Sequence, residues 1–351
     1  MESNNPPSHS APARSWRGPT IAEIARESGV GTATVDRVLN GRDSVREATR
    51  KKVLAALESL GQNDRGRAET RLPAWRIAFL SDSGVSFNNT LQQAVSDYAR
   101  DNIEVSCLFT GIATSQVDPI KFSNLIERTA ETADALVVVA REDLIINRAV
   151  RNVIGRRVPV VCLTTDLPAT GRTAYVGNDQ TGAGATAAYL MGQVVGSRDG
   201  KVLLIYSASY RCQEDRELGF RRVLRSEFAH LEVDERVNSN DDTDYVYRNV
   251  VKYIEDHGAP AGIYNVAAGN VGIARALKEY GLAGQVVFIG HELNVNSRML
   301  LETGTMNFAI GHDVGLEVAQ AIECLTAHLD KRPTPATTPP KVRIYTKYNC
   351  N

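Results

Sequence analysis

The run TIAEIARESGVGTATVDRVLNG, residues 20–41, decides how the first part of the chain folds. Thr20 and Glu23 stand three apart just after Pro19, a capping-box start for a helix. Ile21, Ile24 and Ala25 then share one face, with Glu23, Arg26 and Glu27 on the other. Gly29 ends that helix as a left-handed cap would, and residues 29–31 make a tight turn. A second helix spans 32–39. Its spacing points Val35, Val38 and Leu39 to a core and Ala33, Asp36, Arg37 and Asn40 outward. Gly41 closes it. A third helix over 45–60 offers Val53, Leu54, Leu57 and Leu60 as its apolar face.

Two short helices joined by a glycine turn and braced by a third make a helix-turn-helix unit. In such a unit the second helix enters the DNA major groove. A small helical bundle with no DNA role shows the same turns, so the pattern alone leaves both readings open. Charge distribution permits DNA at this end: residues 1–72 hold 12 basic against 9 acidic side chains, the rest 28 against 32.

The residues themselves narrow the choice. Residues 20–41, followed by VREATRKKVLAALESLG, resemble the DNA-binding head of the LacI/GalR family of bacterial repressors. The matching pattern is T-I-x-x-I-A-x-x-x-G-V-x-x-x-T-V-x-R-V-L-N-G, then T-R-x-x-V-x-x-A-x-x-x-L-G. By that resemblance Thr32, Ala33 and Arg37 occupy base-reading positions and Thr34 a phosphate-contacting one. Thr20, Asp36 and Asn40 complete the candidate DNA-contacting set. An arginine at position 37 can fork onto guanine O6 and N7. Two departures stand out: Gly31 and Asp36 replace serines usual in the family. Asp36 loses a phosphate-touching hydroxyl and sets an acid beside Arg37. It either accepts from cytosine N4, orients Arg37 or Asn40, or faces solvent at the groove rim. The linker after residue 62 also departs. It lacks the family's Tyr and Pro-Asn, Glu69 stands for an arginine, and Leu72 comes one residue late. A minor-groove hinge helix is therefore in question at residues 63–75.

From Arg76 the pattern changes to alternating short apolar strands and amphipathic helices, such as RIAFLSD then NNTLQQAVSDYARD. Such alternation means parallel sheets covered on both faces. The many units call for two doubly wound halves around a cleft, with TAYVGND opening the second half. Ligands of such sheets bind beyond the strands' carboxyl ends. Polar residues fall there: Asp82, Ser83, Arg141, Thr164, Thr165, Asp166, Tyr210, Arg216, Asn265, His291 and Glu292. They suit a polyhydroxylated ligand, with Phe87 against its apolar face.

This half is similar to the effector domain of the same family, a type I periplasmic-binding-protein-like fold. GND (177–179), DRELGF (215–220) and FIGHE (288–292) are its landmarks. The resemblance implies that Asp166, Arg216, Asn265 and Glu292 hold sugar hydroxyls, with His312 near a position often held by Gln. Each has a plainer reading: Arg216 caps its helix or pairs with Asp215, Asp166 caps a turn, Asn265 satisfies its own loop. The expected fold is thus a small all-α head followed by an α/β body of two doubly wound parallel-sheet subdomains. The expected boundaries are a polar disordered tail at 1–17, the head at 18–62, the linker at 63–75 and the body at 76–351. One subdomain takes 76–175 plus 306–333, the other 176–305 plus 334–351.

Other chemistries find little support. Five scattered cysteines lack any CxxC pairing, so neither a disulfide framework nor a zinc site is expected. TGAGATAA (181–188) lacks the third glycine of a dinucleotide loop and reads as small-residue helix packing. No Walker, GxSxG or HExxH motif occurs, so no cofactor, metal or catalytic group is expected. No membrane span or signal segment is visible, and a reducing cytoplasm is expected. The expected partners are double-stranded operator DNA, a sugar-like or polyol effector and a second copy of the chain. The rival readings are a solute-binding protein and a sugar-acting enzyme.

Overall fold

A computed structural model describes residues 21–39, 45–69 and 74–351. Thr20, Asn40, the tail and the end of the linker lie outside the described residues. The chain divides into two units, 1–72 and 73–351.

The head holds α1 (Ile21–Ser28), α2 (Thr32–Leu39) and α3 (Glu47–Glu69). Gly29 turns the chain at φ +66°, the left-handed value a glycine takes freely. The Gly31 carbonyl then starts α2 by accepting from the Thr34 and Val35 amides at 2.8 and 3.1 Å. Ile24, Val35, Val38, Val53 and Ala56 form the core. Leu39 and Leu54, expected inside, are exposed. The core stripe of α3 runs Val53, Ala56, Leu57 and Leu60, and Leu54 lies about 100° round the helix from Val53. The helix also continues nine residues past the expected end at 60, so the linker backbone is helical as far as Glu69.

The body has two sheets. The first orders β2 (Val105–Ala113), β1 (Trp75–Ser83), β3 (Ala135–Val139), β4 (Val160–Leu163) and β5 (Ala174–Val176), all parallel. The second contains β6 (Gly200–Tyr206), β7 (Leu231–Asn238), β8 (Gly262–Asn265), β9 (Val287–His291), β10 (Phe308–Gly311) and β11 (Arg343–Tyr345). Its order is β11-β10-β9-β8-β6-β7. TAYVGND therefore closes the first sheet, as edge strand β5, and does not open the second. β10 lies in the second sheet although 306–333 was expected with the first half. β11 pairs antiparallel to β10, a departure from the all-parallel expectation.

Strands β3, β4, β8 and β9 are buried throughout, which is why their sequences are continuously apolar. Helices α4 (Val85–Asp101), α5 (Pro119–Thr129) and α6 (Leu144–Gly155) follow the first sheet's strands. Helices α7 (Gln180–Val195), α8 (Arg211–Glu227), α9 (Thr243–His257), α10 (Asn270–Glu279) and α11 (Val295–Glu302) belong with the second. The last helix, α12 (Val314–Leu329), returns to the first sheet, where Val314, Val318, Ala321 and Leu325 enter its core. The chain thus crosses between lobes three times: β5 to α7, β10 to α12, and α12 to β11. Asp118, Asp143, Asp179, Asp242 and Asp313 cap helices by accepting first-turn amides.

Candidate functional site

The cleft between the lobes lies at the carboxyl ends of both sheets, where such folds bind ligands. It encloses about 840 Å³ of non-protein space, part of it open to solvent. One lobe contributes Ser83, Ser86, Phe87, Thr164 and Thr165. The other contributes Tyr210, Arg216, Asp241, Asn270, His291 and Glu292.

Arg216 owes its place to two glycines. A Cβ on Gly184 of α7 would run into the Arg216 carbonyl, and one on Gly219 of α8 into the Thr181 carbonyl. The helices therefore meet backbone to backbone, which is what TGAGATAA encodes. Arg216 is 5% exposed. Its Nε donates to Gln180 Oε1 at 2.7 Å and its Nη1 to the Val266 carbonyl at 3.1 Å. Its Nη2 lies 3.9 Å from Glu292 Oε1. The plainer reading, a pair with Asp215, is not what forms: Asp215 lies 3.5 Å from Arg211.

Glu292 sits at φ +65° and Thr164 at φ +60°, left-handed values that non-glycine residues seldom adopt. With Asp241 at φ +51°, three such residues line one cleft and mark where the fold holds strained backbone, as ligand sites do. Behind Glu292 lies His312, with Nδ1 3.6 Å from Glu292 Oε1 and Nε2 3.3 Å from Glu317 Oε1. Burial alone would depress this imidazole, but the two carboxylates outweigh it and push its pKa up to about 9. Glu317 is fully buried on α12 and accepts the Thr164 hydroxyl at 2.6 Å. A charged chain thus runs from the cleft through the β10–α12 crossover into the first lobe. His291, by contrast, is driven well below its ordinary pKa by burial and then by the Arg216 charge. Its Nε2 meets Tyr264 Oη at 2.9 Å.

The structure brings together Phe87, Arg216 and Glu292 at the cleft. His312 supports Glu292 and lines a second, open groove beside α4. Asp166 and Asn265 are outside the cleft lining. Asp166 is held in a two-pronged pair by Arg172. Asn265 accepts from the Ala267 amide and donates to Asn270 Oδ1 and the Ala268 carbonyl, so its side chain serves its own loop. Sequence reasoning missed Thr114, Gln180 and Asp241. Asn240 and Asp241 stand at φ +48° and +51°, a conformation Asn and Asp tolerate best. That pair in NSNDDTD was the one available signal.

On the head, Thr32, Ala33 and Arg37 are exposed along one side of α2, and Thr34 and Asp36 are half-buried. This face is free of the core that Val35 and Val38 occupy. Among the described residues no helix is long and apolar enough to cross a membrane, and no group of three or more His, Cys, Asp and Glu is arranged for a metal ion. All five cysteines are free thiols, four of them buried.

Residues 77–333 match the periplasmic binding protein domain, and residues 20–62 match the bacterial regulatory proteins of the lacI family. Catabolite control protein A of Priestia megaterium is 55% identical over 42 residues, 12% of this chain and 13% of that protein. The HTH-type transcriptional regulator MalR of Streptomyces coelicolor is 56% identical over 41 residues, 12% of each chain. The match thus spans about an eighth of the length of these curated relatives. Among solved structures, GanP, a glucose-galactose binding protein from Geobacillus stearothermophilus, superposes with a TM-score of 0.72 at 16% identity. That covers 79% of this chain and 98% of GanP. A solute-binding protein of Burkholderia graminis in complex with D-arabinose superposes at 0.73 with 19% identity, covering 80% and 98%. These likenesses carry the fold of the body.

Proposed function

Because the chain belongs to the periplasmic binding protein domain family over residues 77–333 and carries a lacI-family head over 20–62, we propose that it is a ligand-responsive, DNA-binding transcription regulator. One observation carries this reading. A helix with Thr32, Ala33 and Arg37 exposed shares a chain with a cleft where Arg216 and Glu292 offer donor and acceptor together.

The head reads one half of a near-palindromic operator, and two copies of the chain bind as a homodimer in the cytoplasm. Arg37 forks onto a guanine, Thr32 and Ala33 meet base edges, and Thr34 holds phosphate. By the family resemblance Thr20, Asp36 and Asn40 join them in contacting DNA. The effector is a sugar, polyol or derivative. Arg216 donates to its oxygens, Glu292 accepts from its hydroxyls, and Phe87 covers an apolar face of the ring. Asp166, Asn265 and His312 act behind these groups by fixing the loops and the carboxylate that touch ligand. The regulated genes are those of carbohydrate or polyol metabolism, and the protein acts as a repressor.

A thermal-shift screen of sugars and polyols identifies the effector, since a ligand of the native state raises Tm by mass action. A gel shift with operator DNA then reads the response. Arg216→Ala should lose the response and keep DNA binding. A ligand that stabilises the protein yet leaves operator affinity unchanged would sink the regulatory reading. Chemical turnover of that ligand would replace it with an enzyme.

A further inference from the structure

The rim of the cleft carries a buried network that the effector reading does not use. The lobe crossovers run at β5, an edge of the first sheet, and at β10 and β11, the last two strands on one side of the second. At the opposite edges, Thr114 follows β2 and Asp241 follows β7. Here the lobes are tied by side chains of both. Thr114 Oγ1 donates to Asp241 Oδ2 at 2.6 Å and lies 3.0 Å from Tyr210 Oη. Tyr210 Oη donates toward Asp82, 2.9 Å from both its carbonyl and its Oδ1. Arg141 Nη2 holds Asp82 Oδ1 at 2.7 Å and the Thr114 carbonyl at 2.9 Å. A backbone bond from the Glu142 amide to the Ser209 carbonyl, 2.7 Å, closes the same edge. Asp82, Thr114 and Tyr210 are at most 3% exposed. Bonds this far from the crossovers act on the longest lever arm against lobe opening.

Counting protons shows what the network needs. Its three hydroxyl contacts, Tyr210–Asp82, Thr114–Tyr210 and Thr114–Asp241, each require a hydrogen. Tyr210 and Thr114 supply one each. With Asp241 ionised, one contact lacks a proton. With Asp241 protonated, the chain runs unbroken from Asp241 through Thr114 and Tyr210 to the Asp82 carboxylate held by Arg141. Asp241 Oδ1 still accepts the Ala268 amide, at 2.8 Å.

We propose that these residues form an acid-tightened latch that holds the two lobes closed, with Asp241 as its proton-accepting group. Burial, and then the charge of Asp82, raise the Asp241 pKa against the hydrogen bonds from Thr114, Ala268 and Ser207 that lower it. The groups facing it are Asp82 of β1, Thr114 beyond β2, Tyr210 ahead of α8 and the Ser207 hydroxyl, while Arg141 beyond β3 pairs with Asp82. Opening returns the carboxyl to water and to about 3.9. The closed form therefore takes up the proton. Its advantage is complete below the ordinary carboxylate pKa and is lost as pH rises through the raised one. Asp241 and Tyr210 line the effector cleft, so the latch regulates entry to that site. This consequence rests on the proposed function; the latch itself does not.

The test therefore uses no effector and no DNA. Spin labels at Ile120→Cys and Tyr245→Cys, exposed positions on α5 and α9, flank the latch in the full chain. Cys107, the half-buried thiol, is replaced by serine. Distances between lobes are read by electron–electron double resonance from neutral to acid pH. The short-distance population should grow on acidification. Asp241→Asn should hold it high at neutral pH, since its amide donates to Thr114 permanently and asparagine accepts a positive φ. Thr114→Val should lose the short population at every pH. A wild-type distribution that ignores pH would overturn the latch. So would Asp241→Asn retaining the wild-type acid response. An absent effector response would leave this result standing, so the two readings fail separately.

Discussion

Under the proposed function, operator recognition turns on Arg37. It projects from α2 on the side opposite Val35 and Val38, so truncation leaves the head's core intact. A bidentate arginine–guanine contact is worth about 1–3 kcal/mol of discrimination. Arg37→Ala should therefore cut the preference for operator over a base-substituted operator by about 5- to 150-fold, with effector affinity unchanged. Competition gel shifts measure it, and undiminished preference would move base reading to other residues. His312 carries a second prediction. Its folded pKa of about 9 stands above the unfolded value near 6.5. A raised pKa adds stability that is whole below pH 6.5 and fades as pH climbs through 9. Tm should fall across that alkaline window, and His312→Gln should flatten the fall. Equal slopes in both proteins would show that Glu292 and Glu317 gain nothing from the imidazolium between them.

At the scale of elements, the α7–α8 crossing places the cleft's arginine. Gly184→Ala drives a methyl group into the Arg216 carbonyl, a clash of backbone that no side-chain rotation relieves. Overpacking of this kind costs about 1–3 kcal/mol. Tm should drop by several degrees and effector affinity should fall with it. Gly155→Ala is the control: a Cβ there meets nothing within 4 Å, and the change should be neutral or slightly stabilising. Differential scanning calorimetry compares the two. One side of this crossing was legible in the sequence, because TGAGATAA reads as small-residue helix packing; the glycine of DRELGF that completes it was not read that way. The alternation of strands and helices was equally legible. The antiparallel β11 and the assignment of β10 to the second sheet were not, since strand partners depend on tertiary pairing. Side-chain commitments were legible only in part. Asn265 serves its own loop, as its plainer reading had it, whereas the grip of Arg172 on Asp166 was not foreseen. Periodicity separates buried from exposed faces, and even there Leu39 and Leu54 fell on the wrong side. Thr114 and Asp241 lie far apart in sequence, and only folding makes them neighbours.

At the scale of the whole molecule, a regulator must couple its two sites, and coupling obeys a symmetry that needs no structural detail. If effector changes operator affinity by some factor, operator must change effector affinity by the same factor. Such couplings amount to roughly 5- to 150-fold. Calorimetric titration of the identified effector, with and without saturating operator, gives one factor. Gel shifts with and without saturating effector give the other. The two should agree, whichever sign they carry. Arg216→Ala should abolish the coupling by removing effector contact, and Arg37→Ala should weaken it only where operator no longer saturates. A factor of one in both titrations, with both ligands bound, would mean that head and cleft act independently. The chain would then be a DNA-binding protein joined to a sugar-binding one, and the proposed regulatory role would fall even though each site had been placed correctly.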